Sequence, residues 1–206
     1  MKKVSFYFMG LLLVLIGCSD RDDEIVAKQT VCDSANTEFM QLYNQIATNP
    51  LSDEQTTIDT EVHGYKFNVT SQKTICSVGY QSNHVDATMP YMIEITNDDS
   101  NTIVYSDSHV FSHTTMSYVS LSSTVTLQPN VSYTIKRIQT DWSGNAFNVC
   151  GKVMYLSDGN FGYANFLPLS STDLTITSSV FYTGSPDPSW PTNNFVLPCL
   201  DIVFEH

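Results

Sequence analysis

The sequence predicts an all-β protein: an antiparallel β-sandwich, jelly-roll-like, carrying one short N-terminal helix. Three observations predict it. From residue 56 onward serine, threonine, tyrosine and valine dominate, and apolar residues alternate with polar ones. A period of two buries one face of a strand and wets the other. Such segments recur about every ten residues with hardly any helical spacing between them, which indicates a sandwich rather than βαβ units.

The chain opens with Met1–Lys2–Lys3, a basic stretch, followed by an apolar run over residues 4–16. That run is well short of the roughly 20 apolar residues needed to span a bilayer, so residues 1–17 read as a secretion signal. The run ends in Leu15–Ile16–Gly17–Cys18, which resembles the lipobox of bacterial lipoproteins. The resemblance implies cleavage before Cys18 and a diacylglycerol on its thiol. Acyl chains contribute about 0.8 kcal/mol per buried CH₂, and several chains make the attachment stable. Next comes Ser19–Asp20–Arg21–Asp22–Asp23–Glu24, too charged to support a core. It resembles the acidic export signal of surface lipoproteins of Bacteroidota-type bacteria. Residues 18–33 are therefore expected to be a lipidated acidic tether, on a protein anchored in the outer membrane and exposed at the surface.

Residues 34–50 carry the one good helix. Phe39, Leu42, Tyr43 and Ile46 follow the i, i+3, i+4, i+7 spacing of a single buried face. Asp33 or Ser34 can cap its start, and Asn49–Pro50 stops it. The helix is expected to pack on the sandwich. Asp33–Ser34–Ala35 also resembles the short O-glycosylation motif of the same bacterial group, although capping explains Ser34 equally well.

The sandwich is expected over residues 56–206, with eight or nine strands. Tyr65, Phe67 and Val69 face one way, as do Tyr91, Ile93 and Ile95. Val119 and Leu121, Val125 and Leu127, and then Val131, Tyr133 and Ile135 repeat the pattern. Leu174, Ile176 and Val180 follow, and Leu200, Ile202 and Phe204 end the chain. Asn97–Asp98–Asp99–Ser100–Asn101 reads as a hairpin turn.

Gly64–Tyr65–Lys66–Phe67–Asn68–Val69, followed by Ile75–Cys76–Ser77–Val78–Gly79–Tyr80, resembles the opening of bacterial jelly-roll domains of uncharacterised function that often accompany glycan-active modules. Leu127–Gln128–Pro129–Asn130–Val131–Ser132–Tyr133–Thr134–Ile135 is similar to their L-x-P-G-x-x-Y-x-I strand pair. Asn130 stands where glycine is usual, a change that a turn accommodates. The resemblance carries no catalytic residues over.

Without residues 1–17 the chain keeps seven basic side chains against 21 acidic ones, so its formal charge goes from −12 to −14. Such a body repels phosphate backbones, which argues against a nucleic-acid partner. With Cys18 committed to lipid, Cys32, Cys76, Cys150 and Cys199 remain. An even number in an exported protein suggests disulfides. Cys76 with Cys199 is the expected pair, because the first and last strands of a jelly roll often lie side by side.

Signals for catalysis are poor. The chain has no G-x-S-x-G, no H-E-x-x-H and no phosphate-binding glycine loop. His109 and His113 are four apart, which in a strand separates the rings by roughly 13 Å, too far for one ion. Asn97–Asp98–Asp99 and Ser157–Asp158–Gly159–Asn160 offer oxygens of the kind calcium takes, but turn chemistry explains both without metal. No cofactor is expected beyond such a structural ion.

The aromatic residues on loops are the most suggestive feature. Trp142 follows Asp141, Trp190 sits in Pro188–Ser189–Trp190–Pro191, and Phe161 and Tyr163 flank Gly162. Such rings, beside asparagine and aspartate, can stack on and hydrogen-bond a sugar; as plain core residues they would cap the sandwich ends. The leading expectation is a non-catalytic binding or adhesion module held to the membrane by its lipid, with glycan or a surface protein as ligand. Candidate ligand-binding residues are Trp142, Trp190, Tyr163, Phe161 and Asp141. The alternatives are a structural subunit of a pilus or outer-membrane uptake complex, marked by strand exchange, and a glycan-cleaving enzyme, marked by two converging carboxylates.

Overall fold

The computed structural model describes residues 31–58, 61–82, 84, 86–140, 149–160, 162–181 and 192–206. The signal sequence, Cys18 and most of the acidic tether lie outside the described residues.

Helix α1 is Glu38–Ala47, and its stripe Phe39, Leu42, Tyr43 and Ile46 is buried as the spacing predicts. Its cap is Thr37 rather than Asp33 or Ser34. The Thr37 hydroxyl accepts the Met40 N–H at 3.0 Å and donates to the Asp201 carboxylate at 2.8 and 2.9 Å. Asp33 instead closes a tight turn by accepting the Ala35 N–H at 2.8 Å.

Thirteen strands follow among the described residues, all paired antiparallel. They begin with β1 (Ser52–Ile58), β2 (Val62–Val69), β3 (Lys73–Tyr80), β4 (Pro90–Asn97) and β5 (Thr102–Val110). Next are β6 (Ser117–Leu127), β7 (Tyr133–Gln139), β8 (Val149–Leu156) and β9 (Leu169–Ser170). The last are β10 (Leu174–Phe181), β11 (Thr192–Asn193), β12 (Val196–Pro198) and β13 (Asp201–Phe204). The count exceeds the expected eight or nine because several strands are too short or too polar to show a period. β9 and β11 have two residues each, and β1 reads Ser-Asp-Glu-Gln-Thr-Thr-Ile along a sheet edge.

The strands form an antiparallel β-sandwich. The large sheet runs β11-β10-β2-β7-β4-β5, with β9 paired to β10. Two three-stranded sheets, β1-β8-β12 and β13-β3-β6, complete the fold. The chain crosses between sheets from β3 to β4 and again from β6 to β7. Because β3 pairs with β6 while β4 pairs with β7, the two crossings interlock the layers.

One core joins all three sheets and the helix. Tyr65, Phe67, Ile93, Ile95, Ile135 and Ile176 come from the large sheet, Ile75, Val78, Leu127 and Ile202 from one small sheet, and Met154 and Leu197 from the other. Phe39 reaches across from α1 to stack on Tyr65 at 5.2 Å, so the apolar face of the helix packs onto the shared core while Gln41, Asn44 and Gln45 face solvent. Tyr133 anchors the turn from β6 to β7, its hydroxyl accepting the Gln128 N–H at 2.9 Å. Asn130, in that turn, has φ 61°, the left-handed region that asparagine enters more readily than most residues. The hairpin expected at 97–101 joins β4 to β5.

The disulfide joins Cys32 to Cys76, not Cys76 to Cys199, which is a free buried thiol. β13 does lie beside β3, as the expected pairing requires. In that register, however, Asp201 faces Gly79 and Phe204 faces Ile75. Cys199, two residues before β13, therefore sits past the far end of the ladder from Cys76. Cys32 bridges Glu205, next to Cys76, and takes its place.

Asp201 ties the helix to this sheet. It is fully buried and accepts from Thr37 on one side and from the Tyr118 hydroxyl, at 2.9 Å, on the other. The Tyr118 ring lies across Gly79, where a Cβ would come within 2.4 Å of it.

Candidate ligand-binding face

Of the five aromatic and acidic residues singled out from sequence, Tyr163 is described. Asp141, Trp142, Phe161 and Trp190 lie outside the described residues. β7 ends at Gln139, three residues before Trp142, and β11 begins at Thr192, two residues after Trp190 and opposite Val180. β10 and β7 flank β2, and Phe181 pairs with His63, which pairs with Arg137. The end of β7 and the start of β11 thus belong to one end of the large sheet.

That end has a polar interior with no signature in the sequence. His63 and Arg137 are fully buried on core-facing positions of β2 and β7. The Arg137 guanidinium lies between the rings of Tyr80 and Tyr91, 5.3 and 5.2 Å from their centroids, an arrangement that favours a desolvated cation. Burial, and secondarily Arg137, holds His63 well below its ordinary pKa, so it is neutral. The alternation of β7 marks residues 137 and 139 as inward, but nothing in composition says that an arginine fills such a position.

Tyr163 stands elsewhere, on the small sheet β1-β8-β12. Its loop folds back tightly. Asp158 Oδ1 accepts the N–H groups of Asn160 and Gly162 at 2.7 and 2.9 Å, and the Asp158 N–H donates to the Gly162 carbonyl at 3.0 Å. Those backbone bonds hold the Asp158 carboxyl below the usual carboxylate range. Gly162 permits the close approach, since a Cβ there would lie 2.4 Å from Asp158 Oδ2. The turn delivers Tyr163 opposite Ser157 and onto Tyr155, the two rings stacked at 4.5 Å.

Phe195 completes a group of three nearly parallel rings, 5.8 Å from Tyr163 and 6.4 Å from Tyr155. The N–H groups of Phe166 and Leu167, both donating to the Asn194 carbonyl, hold the following stretch beside it. Tyr155 also joins Val153 and Val196 in a small cluster separate from the main core, against which Phe195 packs. Tyr155 is 8 % exposed and Tyr163 51 %. Burial, then Tyr163 and Asp53, pushes the Tyr155 hydroxyl up to about 12, so it stays protonated.

The register adds polar groups to the same face. Asp53 of β1 lies directly opposite Tyr155, and Gln55 opposite Val153. The Gln55 side-chain amide donates to the Asp53 carboxylate. The face thus carries an exposed ring, Tyr163, stacked on Tyr155, with a carboxylate opposite Tyr155 and an amide opposite Val153. Asp53 and Gln55 escape a reading of the sequence because they stand on a polar strand with no alternation.

The oxygen-rich loops spend their oxygens on the protein. The Asp98 carboxylate accepts from Ser132 at 3.0 Å and Thr134 at 2.8 Å, and Asp158 serves its own turn. Among the described residues no three His, Cys, Asp or Glu side chains group together. His109 Nε2 lies 2.7 Å from the Tyr105 hydroxyl. β13 stays paired within its own chain, to β3. Compared with known protein families and with curated proteins, the sequence matches none.

Proposed function

We propose that this chain is a non-catalytic binding or adhesion module at the bacterial surface, lipid-anchored through Cys18, with glycan as its ligand class. The observation that carries the reading is Tyr163: a half-exposed ring, backed by two others, with Asp53 and Gln55 on the same sheet face. A sugar ring offers apolar C–H faces to an aromatic platform and hydroxyls to a carboxylate and an amide. Trp142 and Trp190 are proposed to add further contacts. No helix among the described residues is long and apolar enough to cross a membrane; in this reading attachment rests on the lipid.

A glycan array probed with the wild-type protein, followed by titration of a hit against Tyr163→Ala, tests the ligand. The variant is expected to weaken binding by ~0.5–1.5 kcal/mol, the scale of one aromatic contact, with little change in melting temperature. An empty array, or a hit indifferent to Tyr163, Trp142 and Trp190, overturns the reading. Mass spectrometry of membrane-extracted protein tests the anchor, which requires acyl mass on Cys18 and loss of anchoring in Cys18→Ala.

A second reading, a subunit of a surface assembly built by strand addition, is favoured by β5. This nine-residue strand is an edge of the large sheet and exposes Ile103, Val104 and Val110. Such an edge can pair with another chain. Concentration-dependent self-association that is abolished by Val104→Lys supports it, and a monomer at every concentration rejects it.

A further inference from the structure

Between α1, β1, β8 and the bend after β12 lies a cavity of about 130 Å³. Three sulfur-bearing side chains line it: Met40 from the helix, Met116 from the approach to β6, and Cys199 from the bend. Tyr43, Asn44, Glu54, Gln81 and Lys152 share the wall. Cys199 is a buried thiol outside the disulfide. Among the described residues of the lining Glu54 is the one carboxylate, and Lys152 holds it at 2.8 Å. We propose that this cavity is a binding site for one copper(I) ion, held by Cys199 Sγ and the thioether sulfurs of Met40 and Met116.

The donor set selects the metal. Thiolate and thioether are soft ligands that favour copper(I), whereas calcium and magnesium require oxygen. Charge agrees with this choice. A monovalent cation on one thiolate adds no net charge to a site whose ligating thiol is buried. Glu54 and Lys152 cancel each other and leave that balance intact. In the binding step the Cys199 S–H bond breaks, an S–Cu bond forms and one proton passes to water, with no electron transferred.

Anaerobic titration of the whole mature protein with copper(I), in competition with a chromophoric copper(I) chelator, tests the site. One equivalent is expected to transfer, with a thiolate-to-copper absorption band. Zinc offered alone should not bind. Met40→Leu and Met116→Leu, which conserve volume, should each lower affinity by at least about tenfold, and Cys199→Ser should abolish the band. If Cys199→Ser fails to fold, the two leucine variants decide. Failure of a confirmed free thiol to take copper overturns the proposal. So does unchanged uptake by both leucine variants, or peptide mapping that finds Cys199 bonded to Cys150.

Discussion

Replacing Asp201 with asparagine should make the protein less sensitive to alkaline pH. The carboxyl is fully buried, and burial pushes its pKa from an ordinary 3.8 up to about 7. Hydrogen bonds from Thr37, Tyr118 and the Ile202 N–H pull the other way but do not prevail. Because the folded pKa lies above the unfolded one, folded protein binds more protons between those values. The stabilisation is complete below about pH 4 and is lost as pH rises through about 7. A displacement of about three pH units, at about 1.4 kcal/mol each, amounts to about 4 kcal/mol. Roughly 1.5 kcal/mol of that is already lost at pH 5, which leaves about 2.5 kcal/mol to appear between pH 5 and pH 8. The asparagine amide keeps the shape and an acceptor oxygen but carries no charge at any pH. Urea unfolding of both proteins at pH 5, 6, 7 and 8, followed by far-ultraviolet circular dichroism, gives the difference directly. The variant should gain on the wild type by about 2.5 kcal/mol across that range, and the general repulsion of an acidic chain cancels in the comparison. Parallel stability curves would refute the argument.

Three further outcomes follow from the packing. Replacing Cys32 and Cys76 together with serine opens a loop closed over a separation of 44 residues and should cost about 4 kcal/mol on the chain-entropy account; a loss below about 1 kcal/mol in thermal melting would place its contribution elsewhere. Phe39→Ala removes the ring that joins the helix to Tyr65 and should cost about 3–5 kcal/mol, with near-ultraviolet circular dichroism reporting loosened tyrosine packing. Tyr133→Phe leaves the Gln128 N–H without its acceptor and should cost about 1–3 kcal/mol; urea unfolding of the variant checks this, and a neutral result would show that water takes over.

The strands are legible wherever one face meets the core and the other meets water. Phe67, Ile93 and Ile135 announce themselves by alternation, and the helix by four apolar residues on one side. β1 escapes because an edge strand of polar residues has no period to display. Val180 shows another limit. Alternation groups it with Ile176, but a bulge between Ile176 and Ser178 sets it opposite Gly64 while Ile176 stays opposite Phe67, so the two face different ways. The disulfide turns on register, since strand adjacency alone does not say which residues meet. In the candidate site, Tyr163 is readable as a loop aromatic, whereas Asp53 and Gln55 join it through pairing between β1 and β8, about 100 positions apart in sequence.

The Cys32–Cys76 bond also determines how the protein bears a pull. Val31 and His206 exchange backbone hydrogen bonds at 3.2 and 3.1 Å, so the segment that leaves toward the N-terminus runs beside the last residues of the fold. Tension arriving from residues before 31 meets that weak ladder first and can peel it open. At Cys32 the load transfers through a covalent bond to Cys76, on the middle strand of the β13-β3-β6 sheet. Residues 33–75, which include α1, β1 and β2, thereby cannot be drawn out one after another from their N-terminal end. In the proposed anchored, ligand-holding molecule, a pull between the N-terminal segment and a ligand on β1 and β8 would run from Cys76 through the sheets to that face rather than unwind the helix from its N-terminal end.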